Sequence, residues 1–185
     1  MNEALFKYVK IYDNVIPEEY CNHLIEKFHA NPDCWEYHDN ETFIFNQINL
    51  PNHDGIFEAE IAFLMEVFEH YVNRYAYDCK MSQIQMPENY GFEAIRMKYY
   101  KADHGEFKPH IDACDLATIK RFLVFFLYLD EGDGGETALY DQEVAVQRKP
   151  GRLLMFPPMW TYPHAGLMPK GTDKHIIGSY LHYVE

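Results

Sequence analysis

From Tyr90 onward, glycine and proline cut the chain into short runs rich in aromatic and β-branched residues. This punctuation limits the fold more than any other feature. The runs are Tyr90–Lys101, Phe107–Asp112, Phe122–Leu129, Glu136–Tyr140, Gly151–Phe156 and His175–Val184, separated by Gly132, Gly134, Gly135, Pro150-Gly151 and Pro157-Pro158. Such runs read as strands joined by turns. Helical periodicity is confined to the first half. Pro17 opens one helix, with Glu18 and Glu19 in its first turn, and Asn31-Pro32 closes it. A longer helix is predicted over Gly55–Tyr77, where Phe57, Ile61, Leu64, Met65, Phe68, Tyr71, Val72 and Tyr75 recur on one face. Leu5–Tyr12 reads as an initial strand, and Cys34–His38 with Thr42–Ile48 as a hairpin around Asp39-Asn40-Glu41. Two helices followed by many evenly spaced strands predict a mainly β (α+β) fold. The expected closure is a double-stranded β-helix of jelly-roll or cupin-like form, backed by the N-terminal helices. No repeat, low-complexity tract or linker divides the chain, so residues 1–185 are expected to form a single domain.

Composition narrows the function classes. Hydrophobic residues at 48% and charged residues at 24% describe a packed globule, and 16% aromatic content suits a sheet core or a walled pocket. The net charge of −13 argues against phosphate-neutralising nucleic-acid binding and against anionic membranes. A neutral or basic partner is expected instead. Cys21, Cys34, Cys79 and Cys114 form no C-x-x-C pair, and the N-terminus carries no apolar leader segment. No apolar run approaches the ~18 residues that span a bilayer. Reduced thiols in a cytoplasmic protein follow as the expectation.

His110-Ile111-Asp112 is the first chemical candidate. Placed at i and i+2 on a strand, an imidazole and a carboxylate share one face and supply two ligands of a 2-His-1-carboxylate facial triad. Roughly 0.65 such pairs would arise by chance at this composition, so the pair alone discriminates little. A third ligand must come from another strand; His164, after the Met155-Phe156-Pro157-Pro158 run, is the natural choice, with His175 and His182 nearby as rivals. Lys174 lies ten residues beyond His164. With Ile176, Gly178 and Tyr180 it would face the core, where an ammonium needs an anionic partner. The opposite alternation, with His175, Ile177 and Ser179 inward, stays open from period alone.

In this order the residues resemble the Fe(II)/2-oxoglutarate dioxygenases, most nearly the prolyl 4-hydroxylase-like branch. The resemblance covers about Phe92 to Tyr183. It rests on Tyr100, Gly105-Glu106-Phe107-Lys108-Pro109-His110-Ile111-Asp112, Arg121 before Phe122–Leu129, Gly134-Gly135-Glu136-Thr137, Gly151-Arg152-Leu153-Leu154-Met155-Phe156-Pro157, and His164 with Lys174. It implies His110, Asp112 and His164 as iron ligands, and Lys174 as partner of the distal carboxylate of 2-oxoglutarate. It further implies that Thr137, Tyr100 and Tyr128 bind that cosubstrate, and that Arg121 and Tyr180 lie against the substrate. Tyr100 stands one residue further from His110 than in many members, which keeps Tyr99 as an alternative. Tyr180 stands where a tryptophan is common. The implied cofactors are Fe(II), 2-oxoglutarate and O2, with ascorbate as an optional reductant. The implied activity is hydroxylation of a peptide or protein side chain, with proline the first expectation. The alternatives are hydroxylation of a free amino acid or other small molecule and, from another class, a non-catalytic jelly-roll module holding a structural metal or zinc. The Trp35–Phe45 hairpin is either a lid or an ordinary packed hairpin. The Asp130–Glu136 stretch lacks calcium-loop spacing and reads as a turn.

Overall fold

A computed structural model describes residues 6–141 and 143–185. Leu5, the start of the first predicted strand, lies outside them, and that strand is seen as β1, Lys10–Tyr12. Helix α1 spans Glu18–Ala30 and α2 spans Asp54–Asp78. The hairpin strands are β2, Glu36–Asp39, and β3, Phe43–Asn49. The Asn40 side chain turns the hairpin by accepting from the backbone N–H groups of Thr42 and Phe43. The strands that follow are β4 (Tyr90–Phe92), β5 (Arg96–Tyr100), β6 (Glu106–His110), β7 (Arg121–Tyr128), β8 (Thr137–Leu139), β9 (Val144–Val146), β10 (Arg152–Phe156), β11 (His164–Gly166) and β12 (Lys174–Tyr183). They pair antiparallel in the order β1-β10-β7-β12-β5-β3-β6-β11-β8-β9, with β2 added to β3 and β4 to β12. The result is a curled half-barrel of the jelly-roll type with helices on its outer face, as the punctuation predicts.

Two predicted boundaries shift. Tyr90–Lys101 divides into β4 and β5, and β6 stops at His110, so Asp112 lies in the bend beyond the ladder. Two strands, β9 and β11, have no counterpart among the predicted runs. Each is only three residues long, below the length at which alternation is visible.

Strand β7 shows how the layers form. Leu123, Phe125 and Leu127 face the helices and join Leu24, Phe28, Leu64, Phe68 and Val72 in one core. Val124 and Tyr128 face inward with Leu154, Phe156, Ile176 and Tyr180 in a second. Both faces are buried, so β7 reads as an almost unbroken apolar run. The α2 stripe is core: Phe57, Leu64, Phe68, Val72 and Tyr75 are buried, and the Phe68 ring lies 5.0 Å, centroid to centroid, from that of Phe125. Each such side chain contributes about 1.5–3 kcal/mol by leaving water. Within that stripe Glu60 is also buried, held by Lys27 at 2.7 Å and His23 at 2.9 Å from α1. Past the α2 cap at Cys79, Lys80 takes a left-handed φ of 52° and ends the helix. Among the described residues no helix is long and apolar enough to cross a membrane.

The Asp130–Glu136 stretch is a turn wrapped over a buried guanidinium. Arg148 donates to Asp130 Oδ1 at 2.8 Å, to Thr172 Oγ1 at 2.7 Å and to the Gly134 carbonyl at 3.2 Å. Asp130 Oδ2 accepts from the His175 backbone N–H at 2.7 Å and lies 2.8 Å from His175 Nδ1. Gly132 has a φ of 150°, and a Cβ there would collide with the Arg148 guanidinium. This network anchors the start of β12. Arg148→Met is therefore expected to cost about 3–5 kcal/mol, because it strands Asp130 and several carbonyls. Urea unfolding measures it, and a loss below about 1 kcal/mol would contradict the assignment.

Candidate active site

The antiparallel ladder places His164, the first residue of β11, directly opposite His110, the last of β6. The bend after β6 returns Asp112 to the same point, anchored by the Ala113 N–H donating to the Pro158 carbonyl at 2.9 Å. One ligand atom from each of the three side chains lies within 4.8 Å of the others. The orientation of the rings is fixed. His110 Nδ1 lies 2.7 Å from the Lys108 carbonyl and His164 Nδ1 lies 3.0 Å from the Tyr162 carbonyl. A carbonyl only accepts, so each Nδ1 carries its proton and each Nε2 presents a lone pair. Phe107 stacks on His110 with centroids 3.5 Å apart and planes 7° apart.

Those lone pairs converge on a carboxylate. His110 Nε2 stands 3.4 Å from Asp112 Oδ1, and His164 Nε2 stands 3.3 Å from Asp112 Oδ2. Both Nε2 atoms and Asp112 Oδ2 are buried without a hydrogen-bond partner among the described residues. Three buried acceptors aimed at one point repel unless a cation lies between them. Two imidazoles and one carboxylate on a single face suit non-haem Fe(II).

The triad opens into a cavity of ≈ 280 Å³. On β12, Lys174, Ile176, Gly178 and Tyr180 line it, whereas Ile177 and Leu181 join the helix-side core. That settles the alternation of β12. Lys174 is 2% exposed, and burial pushes its ammonium down to about 7. Its Nζ lies 5.0 Å from the Tyr100 ring centroid and 5.7 Å from that of Tyr128. A Cβ at Gly166 would stand 3.8 Å from that Nζ, so the glycine keeps open the space beside it. Thr137 and Tyr100 line the cavity. Tyr128 sits behind Thr137 and donates its hydroxyl hydrogen bond to Thr137 Oγ1. Tyr99 faces the other way, bonding Asp173 at 3.0 Å and stacking on His175, so Tyr100 is the tyrosine of the pair that reaches the cavity.

Arg121 and Tyr180 also line the cavity, in contact with each other: the guanidinium lies 3.9 Å from the ring centroid. Arg121 grips Glu93 through Nε at 2.7 Å and Nη2 at 2.9 Å, and donates to the Asp112 carbonyl at 2.8 Å. It thus steadies the bend that carries Asp112. The hairpin is no detached lid, since β3 is held between β5 and β6 and presents Phe43, Phe45 and Gln47 to the cavity. Trp35 packs away from it, stacked on Phe28 at 4.9 Å. Sequence reasoning missed Arg96, Lys98, Phe107 and Phe126 as cavity residues. The alternation Arg96, Lys98, Tyr100 was the available signal, because a pocket-facing Tyr100 carries the other two with it.

A jelly roll thus carries an inward imidazole–carboxylate–imidazole face that could hold one metal ion, with a buried ammonium lining the same cavity. The family model described as the 2OG-Fe(II) oxygenase superfamily matches residues 95–182, the segment that contains every one of these groups. Over residues 95–182 the chain thus matches a 2OG-Fe(II) oxygenase, and the triad held in that segment suits Fe(II) and 2-oxoglutarate as cofactors. No curated protein matches the chain. Solved structures share its fold. A viral collagen prolyl hydroxylase from Paramecium Bursaria Chlorella virus-1, in complex with 2OG, is 19% identical, covers 96% of this chain and 97% of its own, and has a TM-score of 0.72. A Pseudomonas putida prolyl-4-hydroxylase is 15% identical over 96% and 94%, with a TM-score of 0.67. A Trichoplax adhaerens prolyl hydroxylase, in complex with a hypoxia inducible factor oxygen degradation domain peptide fragment, is 15% identical over 98% and 86%, with a TM-score of 0.69.

Proposed function

We propose that this oxygenase hydroxylates a peptide or protein side chain, with proline the leading residue, and that residues 1–185 act as one domain. The observation that carries the reading is the near full-length likeness to three structures named as prolyl hydroxylases. The cavity adds support, since its apolar walls and open mouth can admit a side chain from outside.

In this reading His110, Asp112 and His164 hold the iron through Nε2, a carboxylate oxygen and Nε2. When bound, Fe(II) with a chelating 2-oxo acid supplies oxidative decarboxylation and oxygen insertion into an unactivated C–H bond, using O2. The chain supplies geometry and dryness. The Lys108 and Tyr162 carbonyls fix both imidazole tautomers, and Phe107 blocks rotation of the His110 ring. Lys174 pairs with the distal carboxylate of 2-oxoglutarate, and Tyr100 and Thr137 offer hydroxyls along its length, Thr137 being oriented by Tyr128. Arg121 and Tyr180 form the wall on which the substrate lies. Phe45, Phe126 and Ile176 exclude water from the reacting carbon. The four free thiols support a cytoplasmic setting.

Mass spectrometry of proline-containing peptides after incubation with Fe(II), 2-oxoglutarate and air tests the proposal. One added oxygen on proline, dependent on 2-oxoglutarate, is expected. Oxidation of free amino acids alone, with every peptide unchanged, would move the assignment to a small-molecule hydroxylase.

A further inference from the structure

Strand β5 sends Arg96, Lys98 and Tyr100 into the cavity. Lys98 pairs across the sheet with Ile176 on β12 and Gln47 on β3, one inward row away from the Lys174–Tyr100 pair. Its Nζ lies 4.6 Å from the Phe45 ring centroid and 5.4 Å from that of Phe107. No hydrogen bond or ion pair to Lys98 is present among the described residues. The neighbouring polar groups are already engaged. Gln47 donates to Glu36 at 3.0 Å, and Arg121 and Arg96 share Glu93, at 2.7 Å and 3.5 Å.

We propose that Lys98 is the specificity determinant for a carboxylate on the primary substrate, held beside the carbon that reacts. The argument rests on the oxygenase reading and is one of charge balance. A ferrous ion and the Lys174 ammonium together match Asp112 and the 2-oxoglutarate dianion. The iron and cosubstrate charges then cancel, Arg96 and Arg121 share the Glu93 carboxylate, and Lys98 is left as the lining cation with no carboxylate in contact among the described residues. Aromatic faces compensate an ammonium only in part. A carboxylate completes the site, while Phe45, Phe107 and Phe126 take the apolar body attached to it. Asp112 favours the charged form of Lys98 against the larger effect of burial, which lowers its pKa to about 8. The overall charge of −13 pointed to a neutral or basic partner. The cavity inverts that sign locally, with Arg96, Lys98, Arg121 and Lys174 on its lining against Asp112. The carboxylate has two possible sources: the main-chain carboxylate of an amino acid, or an acidic side chain next to the target residue in a peptide.

Calorimetric titration of protein loaded with Mn(II) and 2-oxoglutarate separates them. The probes are N-acetyl-L-proline, N-acetyl-L-prolinamide and N-acetyl-L-prolyl-L-glutamic acid α-amide, whose γ-carboxylate is free. At least one acid is expected to bind tenfold or more tighter than the neutral amide. A preference for the first acid assigns the main-chain source, and a preference for the last assigns the side-chain source. Lys98→Met should abolish the preference and Lys98→Arg should retain it, while 2-oxoglutarate affinity moves less than threefold in both. Equal binding of acids and amide, no binding of either acid, or an intact preference in Lys98→Met would overturn the proposal. The same samples with Fe(II) in place of Mn(II), kept anaerobic, report separately on the oxygenase reading. Loss of the 2-oxoglutarate charge-transfer band there would defeat that reading, not only the role of Lys98.

Discussion

Asp112→Ala is expected to bind no Fe(II) at stoichiometric concentration and to lose 2-oxoglutarate decarboxylation by roughly a thousandfold or more. Loss of a supporting hydrogen bond costs a metal site only ~10–100-fold, and here an anionic ligand itself is removed. The variant should still fold. In the metal-free protein Asp112 is a buried carboxylate with one oxygen unpartnered, pressed against two lone pairs, so its removal relieves more than it costs. The melting temperature of the metal-free variant should lie no more than about 3 °C below that of the parent. Iron binding by spectroscopy and succinate release measure the first effect, and a thermal scan without metal measures the second. Undiminished decarboxylation in Asp112→Ala would show that the carboxylate is not a ligand.

Lys174→Met should raise the 2-oxoglutarate requirement roughly 30-fold or more. Truncating one partner of a buried charge pair costs about 2–5 kcal/mol, and the methionine keeps most of the stem that packs beside Tyr100 and Tyr128. Without cosubstrate the variant should be as stable as the parent or more so, because an unmatched buried ammonium has gone. The sign with pH follows from the same burial. The free ammonium sits near 7, below its ordinary value, and a bound dianion raises it again. Above pH 7 the parent should therefore take up a proton on binding 2-oxoglutarate, and Lys174→Met should not. Calorimetry in buffers of different ionisation enthalpy measures the uptake. An unchanged requirement in the variant would place the cosubstrate elsewhere.

How far the sequence carries such an account differs from strand to strand. The α2 stripe and the apolar run of β7 were legible because their periods extend over many residues, and burial on both faces of β7 leaves its own pattern. The inward face of β12 was half legible: Lys174, Ile176, Gly178 and Tyr180 alternate, but so do their neighbours. Only the packing of Ile177 and Leu181 against the helix-side core decides between the two faces. His164 was found through its distance from Lys174, whereas β11, the strand that carries it, is too short to show a period. Lys98 was passed over because a lysine on a strand ordinarily marks the solvent face. The ladder between β3 and β12 turns that strand inward, and pairings between segments so far apart in sequence leave no local signal. Arg121 was read as a substrate residue. Its two contacts with Glu93 give it a positioning part as well, which depended on a partner 28 positions earlier in the chain.

The central claim is that His110, Asp112 and His164 hold one ferrous ion while the cavity delivers a 2-oxo acid to it. Anaerobic titration of Fe(II) and then 2-oxoglutarate into the protein, followed by visible absorption, tests it most directly. A charge-transfer band that needs both additions, saturates at one iron per chain and is absent from Asp112→Ala is the predicted result. No band in the parent protein, together with tight retention of zinc at the same three residues, would contradict it and leave a metal-binding jelly roll in its place.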